Sequence, residues 1–226
     1  METRKLYVTL IGIRYAFEIF TRALFRFYVR LDIGPGEPLP RQPFLLCSNH
    51  SSHLDSAALM VASGLPFDAF RLLAAADYFD PSSNIGRLTH SALNIIAVDR
   101  TSGHGLGLRK TVAEFRALIR THDSCFIAFP EGTRSTTNEL LPFKRGPAFI
   151  AVALGVPVVP AYIEGAGRSW PKGRRMPRPG RIRVRFGRAI FPSEWTNTHE
   201  GRARSAFLTR ELERRIADLA RAKPTA

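Results

Sequence analysis

The order of apolar and polar residues predicts short buried strands that alternate with amphipathic helices. Apolar runs or strict alternation predict strands at 44–47, 93–98, 125–129, 156–163 and Ile182–Phe186. Apolar residues at helical spacing predict helices at 56–63, 108–120, 143–154 and 201–221. One further segment, 70–76, fits either a strand or a helix. Strands that alternate with helices predict an α/β fold, with helices on both sides of a mainly parallel sheet.

The N-terminal segment contains an apolar stretch, Leu6–Val29, that is long enough to span a bilayer. Charged residues recur in it at every fourth position, and they are Arg14, Glu18, Arg22 and Arg26. The opposite side of such a helix would carry Ile13, Ala16, Phe17, Phe20, Ala23, Leu24 and Phe27. Because charges in hydrocarbon are costly, the pattern favours an amphipathic helix that lies in the membrane interface. A helix packed on the protein's own core would show the same pattern, and one helix or two both fit.

Proline and glycine divide the chain into segments. Residues 31–43 are rich in both and predict a linker between an N-terminal membrane-docking segment, 1–30, and one main domain, 44–226. Residues 165–180 combine glycine, proline and arginine, which predicts a basic surface loop.

The net charge of the chain indicates which classes of partner it can bind. The 226 residues carry a net charge of +14, which favours nucleic acid, an acidic membrane or a phosphorylated substrate. No nucleic-acid-binding module is recognisable, so nucleic acid is not an expected partner. The two cysteines, Cys47 and Cys125, fit a reducing compartment and not a disulfide framework. We therefore expect a peripheral or monotopic protein at the cytoplasmic face of the cell membrane.

The motif NHSSHLD, residues 49–55, follows a predicted strand and opens a predicted helix. In that setting Asp55 can hold one imidazole nitrogen of His50, which leaves the other free to take a proton. An ordinary helix start with a capping serine is the plain alternative. A metal site with His53 as a third ligand has the wrong spacing, and a serine hydrolase would need a G-x-S-x-G motif, which the chain lacks.

A second motif, FPEGTRS, begins at the end of the predicted strand 125–129. Ligands of α/β proteins bind at the carboxyl ends of strands, and an arginine such as Arg134 can hold a phosphate with two hydrogen bonds. Lys144 adds positive charge nearby in sequence, while Asp99 and Arg100 follow a third predicted strand. Each of these polar strand ends, taken alone, could be an ordinary surface turn or a surface ion pair. Together they predict one site.

The motifs NHSSHLD, VDR, FPEGTRS and VPVVP, in this order, resemble the glycerolipid acyltransferase family, and most closely the 1-acylglycerol-3-phosphate acyltransferases. The resemblance covers residues 40–190. It departs at Asn94, where family members usually have glycine, and at Ala97, where they have a bulkier residue. It implies a mixed sheet flanked by helices and no metal or bound cofactor, with a two-helix membrane-docking element at the N-terminus in some bacterial members.

The resemblance also implies roles for individual residues. His50 would be the general base and Asp55 its partner. The acceptor and its phosphate would be held by Arg100, Glu131, Gly132, Thr133, Arg134 and Lys144. The acyl side would be lined by Val156, Pro157, Val158, Val159 and Pro160.

The implied reaction moves an acyl group from acyl-CoA or acyl-carrier protein to 1-acylglycerol 3-phosphate and gives phosphatidate. A thioester is already activated, so the enzyme needs a base and no nucleophile of its own. Acylation of glycerol 3-phosphate, a lysophospholipid or a lyso-aminolipid is an alternative within the class. A non-catalytic basic protein that binds anionic lipid is an alternative outside it, but it does not account for the ordered motifs.

Overall fold

The strands of the protein form a seven-stranded sheet in the computed structural model, which describes residues 2–41, 43–75, 94–98, 106–121, 124–197 and 200–222. In chain order the strands are β1 (Leu31–Ile33), β2 (Phe44–Ser48), β3 (Phe70–Ala75), β4 (Ile95–Val98), β5 (Cys125–Ala128), β6 (Val158–Glu164) and β7 (Ile182–Phe186). Their order across the sheet is β1-β7-β6-β2-β5-β3-β4.

The sheet is mixed and mainly parallel, as the sequence predicts. Strands β6, β2, β5, β3 and β4 run parallel to one another, and β7 pairs with β6 in the antiparallel direction. All five residues of β2 are buried, because the strand lies inside the sheet and helices cover both faces. The described part of the ambiguous segment 70–76, Phe70–Ala75, is strand β3, since it pairs with both β5 and β4.

Helices on the two faces of the sheet enclose two apolar clusters. The helices are α1 (Glu2–Ala23), α2 (Asp55–Ser63), α3 (Leu106–Thr121), α4 (Gly146–Leu154), α5 (Ala166–Ser169), α6 (Ser193–Thr196) and α7 (Arg202–Arg221). The end of α1 and all of α2 pack on one face, whereas α3, α4 and α7 pack on the other. Alternate residues of β2 contribute to the two clusters, as the two-residue period of a strand requires.

The predicted linker, residues 31–43, is not wholly irregular, because it contains a short strand. Its first three residues form β1, which pairs in parallel with β7 at the edge of the sheet. The Pro- and Gly-rich composition of the segment cannot predict this strand, because its pairing partner β7 lies far away in the sequence. The boundaries 1–30, 31–43 and 44–226 stay a prediction.

The N-terminal segment is one continuous helix, in which α1 runs into a π-helical turn at Leu24–Tyr28. The middle of its charged stripe contacts the domain, whereas Arg26 is exposed. Glu18 accepts hydrogen bonds from Arg22 and from the backbone N–H of Phe67, at 2.9 and 3.4 Å. Phe25 and Val29 belong to the core. The alternative of a helix packed on the core holds for one side of the helix, and the membrane interface stays a prediction for the exposed side.

The exposed side of this helix is mainly apolar, with Arg26 as an exposed charge. Phe20 and Phe27 are 64% and 80% exposed, and further exposed residues on it are Tyr15, Ile19 and Tyr28. Over the described residues, no helix combines the length and apolarity needed to cross a membrane.

Candidate active site

The candidate site lies where β2 and β5 end. These strands are neighbours and parallel, so their carboxyl ends meet at the same edge of the sheet. His50 follows β2 by two residues, and Phe129 follows β5 directly. The backbone N–H of Ser135 donates to the carbonyl of His50 at 2.7 Å, which ties the two motif loops together.

His50 and Asp55 form the predicted pair, with Nδ1 of the imidazole 2.8 Å from Oδ2 of the carboxylate. Asp55 is fully buried at the first residue of α2. Its Oδ2 also accepts the backbone N–H groups of Ser51 and Ser52, at 2.7 and 2.8 Å. These donors and the helix N-terminus stabilise the carboxylate anion. The carboxylate in turn favours a proton on Nδ1 of His50, so that Nε2 is left as the acceptor for another proton.

The other polar residues of NHSSHLD hold the backbone of the loop. The side chain of Asn49 makes two hydrogen bonds, at 2.8 and 2.9 Å, with the backbone of Ile163, which extends the pairing of β2 with β6. The hydroxyl of Ser52 accepts from the N–H of Leu54 and donates to the carbonyl of Trp170. Helix α2 has Leu54 as its N-cap and no capping hydrogen bond from a side chain, so a capping serine does not describe this start, and His50 and Asp55 pair with each other.

Phe129 is a site residue that sequence reasoning missed. Its ring stacks on the imidazole of His50, with the centroids 3.9 Å apart and the planes 12° apart. The contact fixes the plane of the imidazole, whose direction the hydrogen bond to Asp55 already sets. The position of Phe129 in the motif FPEGTRS is the only sign of it in the sequence.

Glu131, which is predicted to belong to the acceptor site, has a buried side chain that contacts the backbone of the His50 loop. Its side chain is only 2% exposed, and Oε1 accepts the backbone N–H of His50 at 3.1 Å. Burial raises the pKa of this carboxyl to about 7, although hydrogen bonds from the backbone of His50 and Leu141 act in the opposite direction. Asp55 raises it further by charge repulsion. Glu131 thus supports the loop that carries His50, and its part in the acceptor site stays a prediction.

Two basic side chains, Lys144 and Arg134, lie at the loop FPEGTRS. Gly132 has φ of +69°, and atoms of the Lys144 side chain lie 3.0 Å from where a Cβ at position 132 would be. Arg134 contacts Nε2 of His53, and the exposed Thr133 lies between Gly132 and Arg134 in the chain. The predicted cations at 134 and 144 therefore belong to one loop region next to the histidines.

His53 lies between Arg134 and Trp170, whose ring centroid is 5.2 Å from that of the imidazole. Its pKa is lowered, first by burial and then by the charges of Arg134 and His50, while Asp55 acts in the opposite direction. In the part of the chain that the structure describes, no group of three or more His, Cys, Asp or Glu residues could hold a metal ion.

Comparison with known proteins agrees with these motifs. A family model described as Acyltransferase matches residues 30–164, which is more than half of the chain. The chain belongs to the acyltransferase family.

Relatives of this acyltransferase have consistent names. A 1-acyl-sn-glycerol-3-phosphate acyltransferase alpha from Mus musculus is 31% identical over 74% of this chain and 57% of its own length. A 1-acyl-sn-glycerol-3-phosphate acyltransferase from Pseudomonas aeruginosa is 27% identical over 72% of this chain and 60% of its own length. The chain thus spans a little over half the length of these relatives.

A solved structure shares the fold of the acyltransferase. It is the 1-acyl-sn-glycerophosphate (LPA) acyltransferase PlsC from Thermotoga maritima, with a TM-score of 0.68. The two sequences are 21% identical, and the match covers 100% of this chain and 85% of the other. At this identity the likeness concerns the fold alone.

The residues predicted for the acyl side of the acyltransferase site lie mainly in the core. Val156, Val158, Val159 and Pro160 are buried, and Val158 and Val159 belong to the clusters on opposite faces of the sheet. Val158 is paired with Leu45, at the end of β2 opposite to His50. The structure thus places these side chains in the core, and their contact with an acyl chain stays a prediction. Arg100 and Asp99 lie outside the described residues.

Proposed function

We propose that this protein transfers a fatty acyl group from an acyl thioester to the free hydroxyl of 1-acylglycerol 3-phosphate, which gives phosphatidate. The observation that carries the proposal is the pair of His50 and the fully buried Asp55 at the carboxyl end of β2, beside the cations of the FPEGTRS loop. The names of the relatives in the acyltransferase family support the same acceptor.

The proposed reaction needs one proton transfer in each direction. Nε2 of His50 takes the proton from the acceptor hydroxyl while the oxygen attacks the thioester carbonyl carbon. The tetrahedral intermediate then collapses, the carbon–sulfur bond breaks, and the imidazolium returns the proton to the leaving thiolate. Asp55 stabilises the imidazolium between these steps, and such general-base catalysis contributes about 10²–10⁴-fold to the rate.

Three backbone N–H groups of the NHSSHLD loop are poor candidates for binding the oxyanion of the intermediate. The N–H of His50 already donates to Glu131, and the N–H groups of Ser51 and Ser52 donate to Asp55. An occupied N–H is a poor donor to a developing charge. These three groups are therefore not assigned to the oxyanion, and the side chain of Arg134 is one candidate donor.

The phosphate of the acceptor is assigned to Arg134 and Lys144, and Arg100 is a predicted third contact. The guanidinium of Arg134 can make two charge-assisted hydrogen bonds to a phosphate. The donor is acyl-CoA or acyl-carrier protein, and we expect the reaction to require no metal or bound cofactor.

The exposed apolar side of α1 is assigned to a membrane surface, which we place at the cytoplasmic face. Phe20 and Phe27 would enter the interface while Glu18 and Arg22 remain against the domain. This orientation lets the acyl chain of the acceptor stay in the leaflet. The net charge of +14 favours an anionic surface.

The test is acyl transfer by the purified chain, with acyl-CoA or acyl-carrier protein as donor and a panel of lysophosphatidate, glycerol 3-phosphate, lysophospholipid and lyso-aminolipid acceptors. His50→Ala and Asp55→Ala should each lower turnover by about 10²–10⁴-fold. The double variant should be little worse than His50→Ala, because the two groups act as a unit.

His53→Ala is the matched control, because this histidine lies in the same loop but contacts Arg134 instead of Asp55. It should lose much less activity than His50→Ala. Near-normal transfer by His50→Ala would exclude the mechanism, and lipid binding without transfer to any acceptor would favour a non-catalytic lipid-binding protein.

A further inference from the structure

Residues 171–181, which we name the basic loop, carry five cations and no acidic residue. The side chains of Lys172, Arg174, Arg175 and Arg178 are exposed, and none of them forms an ion pair within the described ranges. Arg181 differs, because its guanidinium pairs with Asp32 at 3.3 Å. The loop therefore presents four exposed positive charges that the described part of the protein does not balance.

An apolar side chain lies among these charges. Met176 is 71% exposed, between Arg175 and Pro177. The hydroxyl of Tyr28 donates to the carbonyl of Pro177 at 3.3 Å, so the loop contacts the end of the N-terminal helix beside the exposed Phe27. The cations of the loop thus adjoin the apolar side of that helix. Arginines next to exposed apolar residues are typical of surfaces that lie at the level of lipid headgroups.

The other end of the basic loop reaches the candidate active site. Trp170 precedes the loop, its indole N–H donates to the carbonyl of Arg174 at 2.7 Å, and its ring contacts the imidazole of His53. The hydroxyl of Ser52 donates to the carbonyl of Trp170 at 2.8 Å. A ligand of the loop would therefore lie between the N-terminal helix and the site.

We propose that the basic loop binds the anionic phospholipid headgroups of the membrane, as a second contact besides the N-terminal helix, and holds the open side of the site against the leaflet. The role of this contact in catalysis rests on the proposed lipid acceptor. Binding of the loop to the membrane does not depend on acyl transfer and can be measured without it. An acidic carrier protein would fit the charges, yet it would not account for the exposed Met176 or for the junction with the apolar helix at Tyr28.

Vesicle flotation of the full chain, without donor or acceptor, tests the charges. The loop variant replaces Arg174, Arg175 and Arg178 by glutamine. The control variant removes three exposed arginines from helices on the other face of the sheet, Arg109→Gln, Arg202→Gln and Arg210→Gln, so that the net charge is the same. The vesicles contain phosphatidylcholine alone or mixed with phosphatidylglycerol.

Each basic residue near an anionic surface contributes about five-fold to binding, so the loop variant should bind the anionic vesicles about 100-fold more weakly than the unaltered chain. The control variant should lose much less, and on vesicles without anionic lipid the two variants should bind alike. Equal losses in both variants on the anionic vesicles would overturn the proposal. So would normal vesicle binding by a loop variant that needs more acyl-carrier protein for transfer, since the loop would then be a protein-binding site.

A fluorescent label at position 176 gives a second measurement. Cys47 and Cys125 are buried, and burial raises the pKa of both thiols, so Met176→Cys can be labelled selectively with an environment-sensitive dye. Anionic vesicles should shift its emission to the blue. The same dye at Ala203→Cys, an exposed position on α7, should not respond. An unchanged spectrum at position 176 would exclude a contact between the loop and the leaflet.

Discussion

Replacement of Glu131 by glutamine should make the stability of the protein less dependent on pH. The carboxyl of Glu131 is buried, and burial raises its pKa from 4.5 to about 7. Between these values the folded protein keeps a proton that the unfolded chain has released. Unfolding therefore releases a proton in this range, and the free energy of unfolding falls as the pH rises.

The size of the effect follows from the difference between the two pKa values. A rise from 4.5 to about 7 corresponds to a loss of about 3 kcal/mol, which is complete at pH values above 7. For a chain of 226 residues this lowers the midpoint of thermal unfolding by about 5–10 °C. Glutamine keeps an oxygen that can accept the N–H of His50 but has no proton to lose, so the variant should lack this loss.

The assay is urea unfolding between acidic and mildly alkaline pH, followed by the fluorescence of the buried Trp195. The difference in free energy of unfolding between variant and unaltered protein is the quantity to follow. The lowered pKa of His53 gives an opposite dependence on pH, but it acts in both proteins and cancels in the difference. Glu139→Gln, at an exposed position of the same loop region, is the control. Parallel curves for Glu131→Gln and the unaltered protein would refute the inference that this carboxyl is protonated near neutral pH.

The remaining predictions concern binding and packing. Arg134→Ala should raise the KM of the lysophosphatidate by about 10–100-fold, because a charge-assisted contact contributes about 1.5–3 kcal/mol, and a change in the KM of the thioester alone would contradict the assignment. Phe20→Ser with Phe27→Ser should weaken vesicle binding at least about 10-fold while the unfolding midpoint stays unchanged, because both side chains are exposed; unchanged flotation would show that the apolar side is not an anchor. Gly165→Ala should destabilise the fold by at least about 2 kcal/mol in urea unfolding, since φ is +86° and a Cβ would lie 2.3 Å from a carbonyl oxygen, whereas Gly64→Ala, with open space around it, should cost less.

Membrane attachment by the N-terminal helix cannot be tested simply by removing the helix. A chain that begins at Asp32 would lack Phe25 and Val29, which are 2% and 0% exposed in the core. Truncation would therefore change both membrane binding and stability. Substitution of exposed side chains separates the two effects.

The sequence by itself determined the class of fold and the pairing of His50 with Asp55. Strands such as Ile182–Phe186 and helices such as α2 follow from local periodicity, which neighbouring residues set without help from distant ones. The pairing of His50 with Asp55 was equally predictable, because the two residues lie five positions apart at the start of a helix and the chain between them can curl in only a few ways.

The tertiary structure alone decided which way side chains face. The charge pattern of the N-terminal helix is the same whether Glu18 faces water or the domain, and only the loop around Phe67 makes the inward position favourable. Glu131 and Phe129 lie about eighty residues from His50 in the chain, and they contact it only because β5 is placed beside β2. Strand β1 likewise depends on β7, which lies far along the chain. Burial, stacking and edge pairing depend on such distant partners, whereas periodicity is a local property of the chain.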